Sequence, residues 1–181
     1  MFRALLASAV IACSAGCGKG PDSGSLDKGG APAAKSSAQG VEAELYESIH
    51  SAHYHLEVAA VSVSGAYEQL QRILSASGKG ERANALQEVN EYLDGVGEQV
   101  AELLAGPPTR EQVRAEPARY QESRRRSKES VSDALTDLDS AIGIAQSLLD
   151  SSPSDSLTKL VDMLNGAKDD LQAVLSAYGS P

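Results

Sequence analysis

The stretch Leu45–Ile73, "LYESIHSAHYHLEVAAVSVSGAYEQLQRI", decides the fold. Leu45, Ile49, Ala52, Leu56, Ala59, Val63, Ala66, Leu70 and Ile73 follow one another at alternating spacings of four and three. That recurrence lays one apolar stripe along a helix with a heptad-like period. A strand would need apolar residues at every second position, and no such run occurs here or elsewhere in the chain.

Three further stripes follow. "SASGKGE" supplies Gly78 and Gly80 as stop and restart. Leu86, Val89, Leu93, Val96, Val100 and Leu103 form the second stripe, which ends in Gly106–Pro108. Thr109 and Gln112 have the spacing of a capping box and open a short helical lead-in. Pro117 suits the first turn of the main third helix. Its stripe is Ser127, Val131, Ala134, Leu138, Ala141, Ala145 and Leu148. "SSPSD" breaks it, with Ser152 expected as cap and Pro153 in the next first turn. Leu157, Leu160, Leu164, Ala167, Leu171, Val174 and Tyr178 complete the fourth stripe. Four amphipathic helices on short connections predict an all-α, antiparallel up-down-up-down four-helix bundle with a heptad-like core over residues 41–181. A helical hairpin array that pairs with a second copy is the alternative, making a homo-oligomer.

The helices are unequal. Helices one and three exceed two and four, and the excess falls at one end, where the chain enters helix one and leaves helix four. Counting back from the turns puts His53 and Arg126 at the start of this overhang.

The N-terminal "MFRALLASAVIACSAGCGKG" has one positive charge, Arg3, before an apolar run from Ala4 to Ala12. The run is too short to span a bilayer and passes into small residues. "SAGC", ending at Cys17, resembles the lipobox of bacterial membrane lipoproteins. The resemblance implies that Cys17 is lipidated and becomes the mature N-terminus, after a signal peptide over residues 1–16. It departs from the usual lipobox in having Ser14 three positions before the cysteine, and Cys13 is a rival acceptor. An ordinary secretory leader cleaved without lipid is the other reading. Residues 17–40 then hold the lipidated cysteine and a Gly/Ser/Pro tether with one large aliphatic residue, Leu26. Its reach is about 25–30 Å as a random coil. The expected location is the cell envelope, anchored to the outer or inner membrane and facing the periplasm or the cell surface. Gly18, where enteric lipoproteins kept at the inner membrane often carry aspartate, leans toward the outer membrane.

Both cysteines, Cys13 and Cys17, lie in this segment. The helical domain therefore has no disulfide and no thiol nucleophile. The formal net charge is −9, and setting aside Arg3, Lys19, Lys28, Lys35, Asp22 and Asp27 leaves 12 basic against 23 acidic residues in 41–181. Such a surface repels phosphate backbones, so nucleic acid is an unsuitable partner.

His50, His53 and His55 are the chain's three histidines. "ESIH" has the ExxH spacing of di-iron bundles, but those need a second histidine on another helix. Haem ligation fails on height: the one methionine beyond the signal peptide, Met163, lies about 24 Å along the bundle from His53 at 1.5 Å per residue. No cofactor is expected. An open metal site from His50, His53, Glu47 and Glu57 on one helix stays in view, beside the plainer reading of polar residues on an overhanging helix.

"RRRSK" is the densest basic run. Arg119, Arg124, Arg125, Arg126 and Lys128, with Arg110 and Arg114 upstream, could hold an anionic head group or an acidic envelope protein. The alternative is pairing with helix two, whose residues 81–102 carry one arginine and six acids. A band of small residues, Ala59–Ala66, Gly95, Gly97 and Gly166, suggests close helix packing, or a small apolar cavity at mid-height. No nucleophile elbow or phosphate loop occurs. The expectation is a non-catalytic binding or scaffold module tethered to a membrane, with metal handling as the alternative.

Overall fold

The computed structural model describes residues 33–179, with side chains from residue 40 onward. The signal peptide, Cys13, Cys17 and the tether up to residue 32 lie outside the described residues. Among the described residues the regular structure is all helical: α1 (Ala33–Ala76), α2 (Glu81–Leu103), α3 (Arg110–Ala115), α4 (Pro117–Ser151) and α5 (Asp155–Ala177). Of the four long helices, α1 packs on α5 and α2, α2 on α4, and α4 on α5, while the short α3 touches α1 and α4.

The apolar stripes meet in one core. Leu56, Leu70, Leu86, Leu93, Leu138, Leu157, Leu160, Leu164 and Leu171 are fully buried in it. Ile49, Leu103, Ser127 and Leu148, expected inside, are half-buried: the first three border a cleft at the overhanging end, and Leu148 lies in the last turn of α4. Polar bonds fix register at the seams. Between α1 and α2, Gln71 Nε2 donates to Asn90 Oδ1 at 2.6 Å, and Asn90 Nδ2 donates to Asp94 Oδ2 at 2.8 Å. Across α1 and α5, Gln69 Nε2 donates to the Ser156 carbonyl at 3.1 Å.

The helix ends follow local chemistry. Ser77 Oγ donates to the Ile73 carbonyl at 2.7 Å and closes α1. Gly80 starts α2 at φ 142°, a conformation that a side chain would strain. Thr109 and Gln112 form the expected capping box, and Pro117 opens α4.

Three boundaries differ from expectation. Helix α1 begins at Ala33, in a stretch expected to be tether, since "AAKSSAQ" contains good helix formers and no proline. Ser154, not Ser152, caps α5: its hydroxyl accepts from the Leu157 amide, and Asp155 follows in the first turn. Ser152 instead ends α4, as the residue before a proline is pushed from helical geometry. Helix α3 also does more than lead into α4, because Val113 is buried at 1% exposure.

The overhang is as expected. Helices α1 and α4 have 44 and 35 residues, against 23 each for α2 and α5.

Candidate functional site

At the overhanging end, the connection from α2 to α3 and α3 itself are fastened to α1 between Glu42 and His50. His50 Nε2 donates to the Pro108 carbonyl at 3.0 Å, which fixes its tautomer, since a carbonyl only accepts. Its ring lies against Tyr46 at a tilt of 41°, with centroids 4.2 Å apart. Arg110 lies over the other side of this unit, 4.9 Å from the Tyr46 ring centre, and its Nη2 is 2.7 Å from Glu47 Oε1. Arg114 Nε reaches Glu42 Oε2 at 3.8 Å.

Of the four residues considered for a metal, Glu47 is engaged by Arg110 and His50 by Pro108. The structure brings together only His53 and Glu57, whose Nδ1 and Oε1 are 3.7 Å apart on successive turns. Among the described residues, no three side chains of His, Cys, Asp or Glu gather in an arrangement that could hold a metal ion. His55 stands apart, half-buried beside Tyr54.

The basic run also behaves differently from expectation. Among the described residues no ion pair joins α4 to α2. Arg125 and Arg126 grip Glu122, at 2.8 and 2.9 Å, and Arg125 also takes Glu129. Arg119 pairs with Glu116 at 2.8 Å. Lys128 Nζ donates to the Gly179 carbonyl at 2.7 Å, fastening the end of α5 to α4. Pairing within the helix wins because i,i+3 and i,i+4 partners are already in reach, while the run lies out beyond the end of α2. Hydrogen bonds from Arg125 and then Arg126 hold the Glu122 carboxyl down at about 2.

Arg124 is the exception in the run. Its Nη1 has a 3.5 Å contact with Ser48 Oγ, and no carboxylate among the described residues lies within 4 Å. It lines a cleft of about 460 Å³ between α1, the α2–α3 connection, the start of α4 and the end of α5. Leu103, Pro108, Tyr120 and Tyr178 supply apolar wall, and Glu102 stands at the same opening. Burial pushes the Tyr178 phenol above its ordinary value, partly offset by a hydrogen bond from Ser127. His53 forms part of the cleft wall, and its Nε2 is buried with no hydrogen-bond partner among the described residues. A buried polar atom left this way costs about 1–3 kcal/mol.

The mid-height band does not act as one unit. A Cβ built at Gly65 would approach Met163 Cε to 2.9 Å, so helices α1 and α5 are close there. At Gly97 and Gly166 a Cβ meets nothing within 4 Å.

Two features escaped the sequence reading. The cleft joins residues from four segments, so no local pattern announces it. A second apolar set, Tyr54, Val58 and Val61, follows i, i+4, i+7 spacing on the outer face of α1, with 62%, 37% and 70% exposure. Subtracting the core stripe from the quoted stretch would have revealed it.

No helix among the described residues is long and apolar enough to cross a membrane. No family model, curated protein or solved structure matches the chain.

Proposed function

We propose that this chain is a bacterial envelope lipoprotein, anchored through Cys17, whose helices form an antiparallel up-down-up-down four-helix bundle serving as a non-catalytic binding module. The pairwise packing supports the bundle: α1 with α5, α5 with α4, α4 with α2 and α2 with α1 make the main contacts, while across the diagonals α1 and α4 touch only lightly and α2 and α5 do not touch. One observation carries the functional reading. Ile49, His53 and Leu56 of α1, the arginine-rich start of α4 and the end of α5 line one cleft, and Lys128 ties α4 to Gly179 at the end of α5. A tether entering through the N-terminal side of α1 would turn this side of the helices, with its basic surface and cleft, toward the membrane. The outward Tyr54–Val58–Val61 face offers contact area to an envelope protein on the same helix.

Two measurements test the reading. Palmitate labelling in a bacterial host should mark the wild-type chain and the Cys13→Ser variant but not Cys17→Ser; no labelling of the wild type sinks the anchor. Envelope cross-linking should yield a specific heterologous adduct that is lost when Arg124, Arg125 and Arg126 become serine. An unchanged adduct removes the basic end from the reading, and an adduct of two identical chains replaces the binding module with a homo-oligomer.

A further inference from the structure

We infer that the end cleft binds a small anion of mixed character, one carboxylate or phosphate carried on an apolar or aromatic body, with Arg124 as its counter-charge. This deepens the binding-module reading at the same end of the helices, but does not depend on the lipid anchor.

Three observations point there. First, the cations around the cleft are already committed, with one exception. Arg110, Arg114, Arg119, Arg125 and Arg126 each have a carboxylate within 4 Å, and Lys128 holds a backbone carbonyl. Among the described residues Arg124 has only the long contact to Ser48, though it is half-buried. A charge drawn partly out of water needs a compensating partner, and a guanidinium presents a fork that fits a carboxylate or phosphate edge with two parallel hydrogen bonds.

Second, the surroundings suit a ligand with an apolar part. Leu103, Pro108, Tyr120 and Tyr178 wall the cleft, and its volume of about 460 Å³ falls within the roughly 300–1,000 Å³ of small-molecule sites. A bare inorganic ion would use the arginine and waste the walls.

Third, the chain keeps a polar group in the cleft wall at a cost to stability. His53 Nε2 is buried without a partner among the described residues, on the flank of the apolar stripe between Ala52 and Leu56. Glu102 also lines the cleft and forms no ion pair with Arg124 among the described residues, so its negative charge repels an incoming anion.

The test uses the full chain with Cys13→Ser and Cys17→Ser, so that no lipid is attached, and reads dissociation constants by calorimetry at neutral pH. The probes are 4-phenylbutyrate for the carboxylate arm, phenyl phosphate for the phosphate arm, and 4-phenylbutyramide as the uncharged twin. At least one anion should bind tenfold or more tightly than the amide. Arg124→Gln should abolish that preference, Arg124→Lys should keep part of it, and Arg125→Gln should leave it intact. Glu102→Gln should tighten the anion by two- to fivefold. Circular dichroism confirms that each variant is folded, and the acid-against-amide comparison needs no variant at all.

Equal binding of acid and amide overturns the proposal, as does an unchanged preference in Arg124→Gln or an absence of binding by both anions. Inorganic phosphate binding as tightly as phenyl phosphate would remove the apolar walls from the site and overturn its mixed character. Palmitate labelling with no anion binding would leave an anchored module without this site. Anion binding without labelling would do the reverse.

Discussion

Replacing Gly97, Gly143 and Gly166 together by alanine is expected to stabilise the protein by about 2–3 kcal/mol, because an interior helix glycine costs about 0.8–1.0 kcal/mol relative to alanine. Each lies within a helix, on α2, α4 and α5 respectively. A Cβ at any of the three meets nothing within 4 Å, so packing strain does not subtract from the gain. Placement on separate helices favours additivity. For a domain of this size each kcal/mol moves Tm by about 2–4 °C, so the triple variant should melt about 4–12 °C higher. Thermal melts followed by far-ultraviolet circular dichroism read this directly. A urea titration should show a later midpoint at unchanged slope, the signature of a stability change alone. Gly65→Ala is the contrast within the same protein. Its Cβ would sit 2.9 Å from Met163 Cε, so the methionine methyl must swing aside and the gain shrinks. A triple variant that melts at or below the wild-type temperature would refute the reasoning. Those glycines would then be holding helices together, as the mid-height band suggested.

Two further outcomes follow from the overhanging end. His53→Leu should stabilise by about 1 kcal/mol, since it removes an unpartnered buried nitrogen costing about 1–3 kcal/mol and gives up only a loose contact with the exposed Glu57; a lower melting temperature would show that the ring is bonded in solution. Glu122 titrates at about 2 rather than the ordinary 4.5, so its stabilising bonds are complete above pH 4.5 and are lost as pH falls toward 2; Glu122→Gln should flatten the acid arm of a melting-temperature profile in that window, and an identical acid arm would contradict the pairing.

The quoted stretch made the helical fold legible because one property repeated: a large or small apolar residue at every third or fourth position. Eight of its nine stripe residues are buried, and Ile49 is the exception because it borders the cleft rather than the core. The capping box at Thr109 was legible because its chemistry spans four adjacent residues. The start of α5 was not, because two serines flank Pro153 and either hydroxyl could cap; the proline's effect on Ser152 decides between them. The site was legible in its location and not in its bonding. Unequal helix lengths placed His50, His53 and the arginines at one end. Which carboxylate each arginine would take depended on rotamers and on α3 folding back on α1, neither of which spacing reveals. Thus Arg110 found Glu47 across 63 residues of sequence, while Arg125 took neighbours on its own helix.

The length of α1 has a mechanical consequence. A pull arriving through the chain upstream of Ala33 runs along the axis of the longest helix, not across it. It first meets the ion pair of Glu42 with Arg114, then the clamp made by Arg110, His50 and Pro108. Behind that clamp, the stripe from Ala52 to Ile73 must slide lengthwise against α2 and α5, and many contacts then yield together instead of one by one. Pulled from its N-terminal side, α1 is sheared, whereas the same helix drawn sideways would unzip turn by turn.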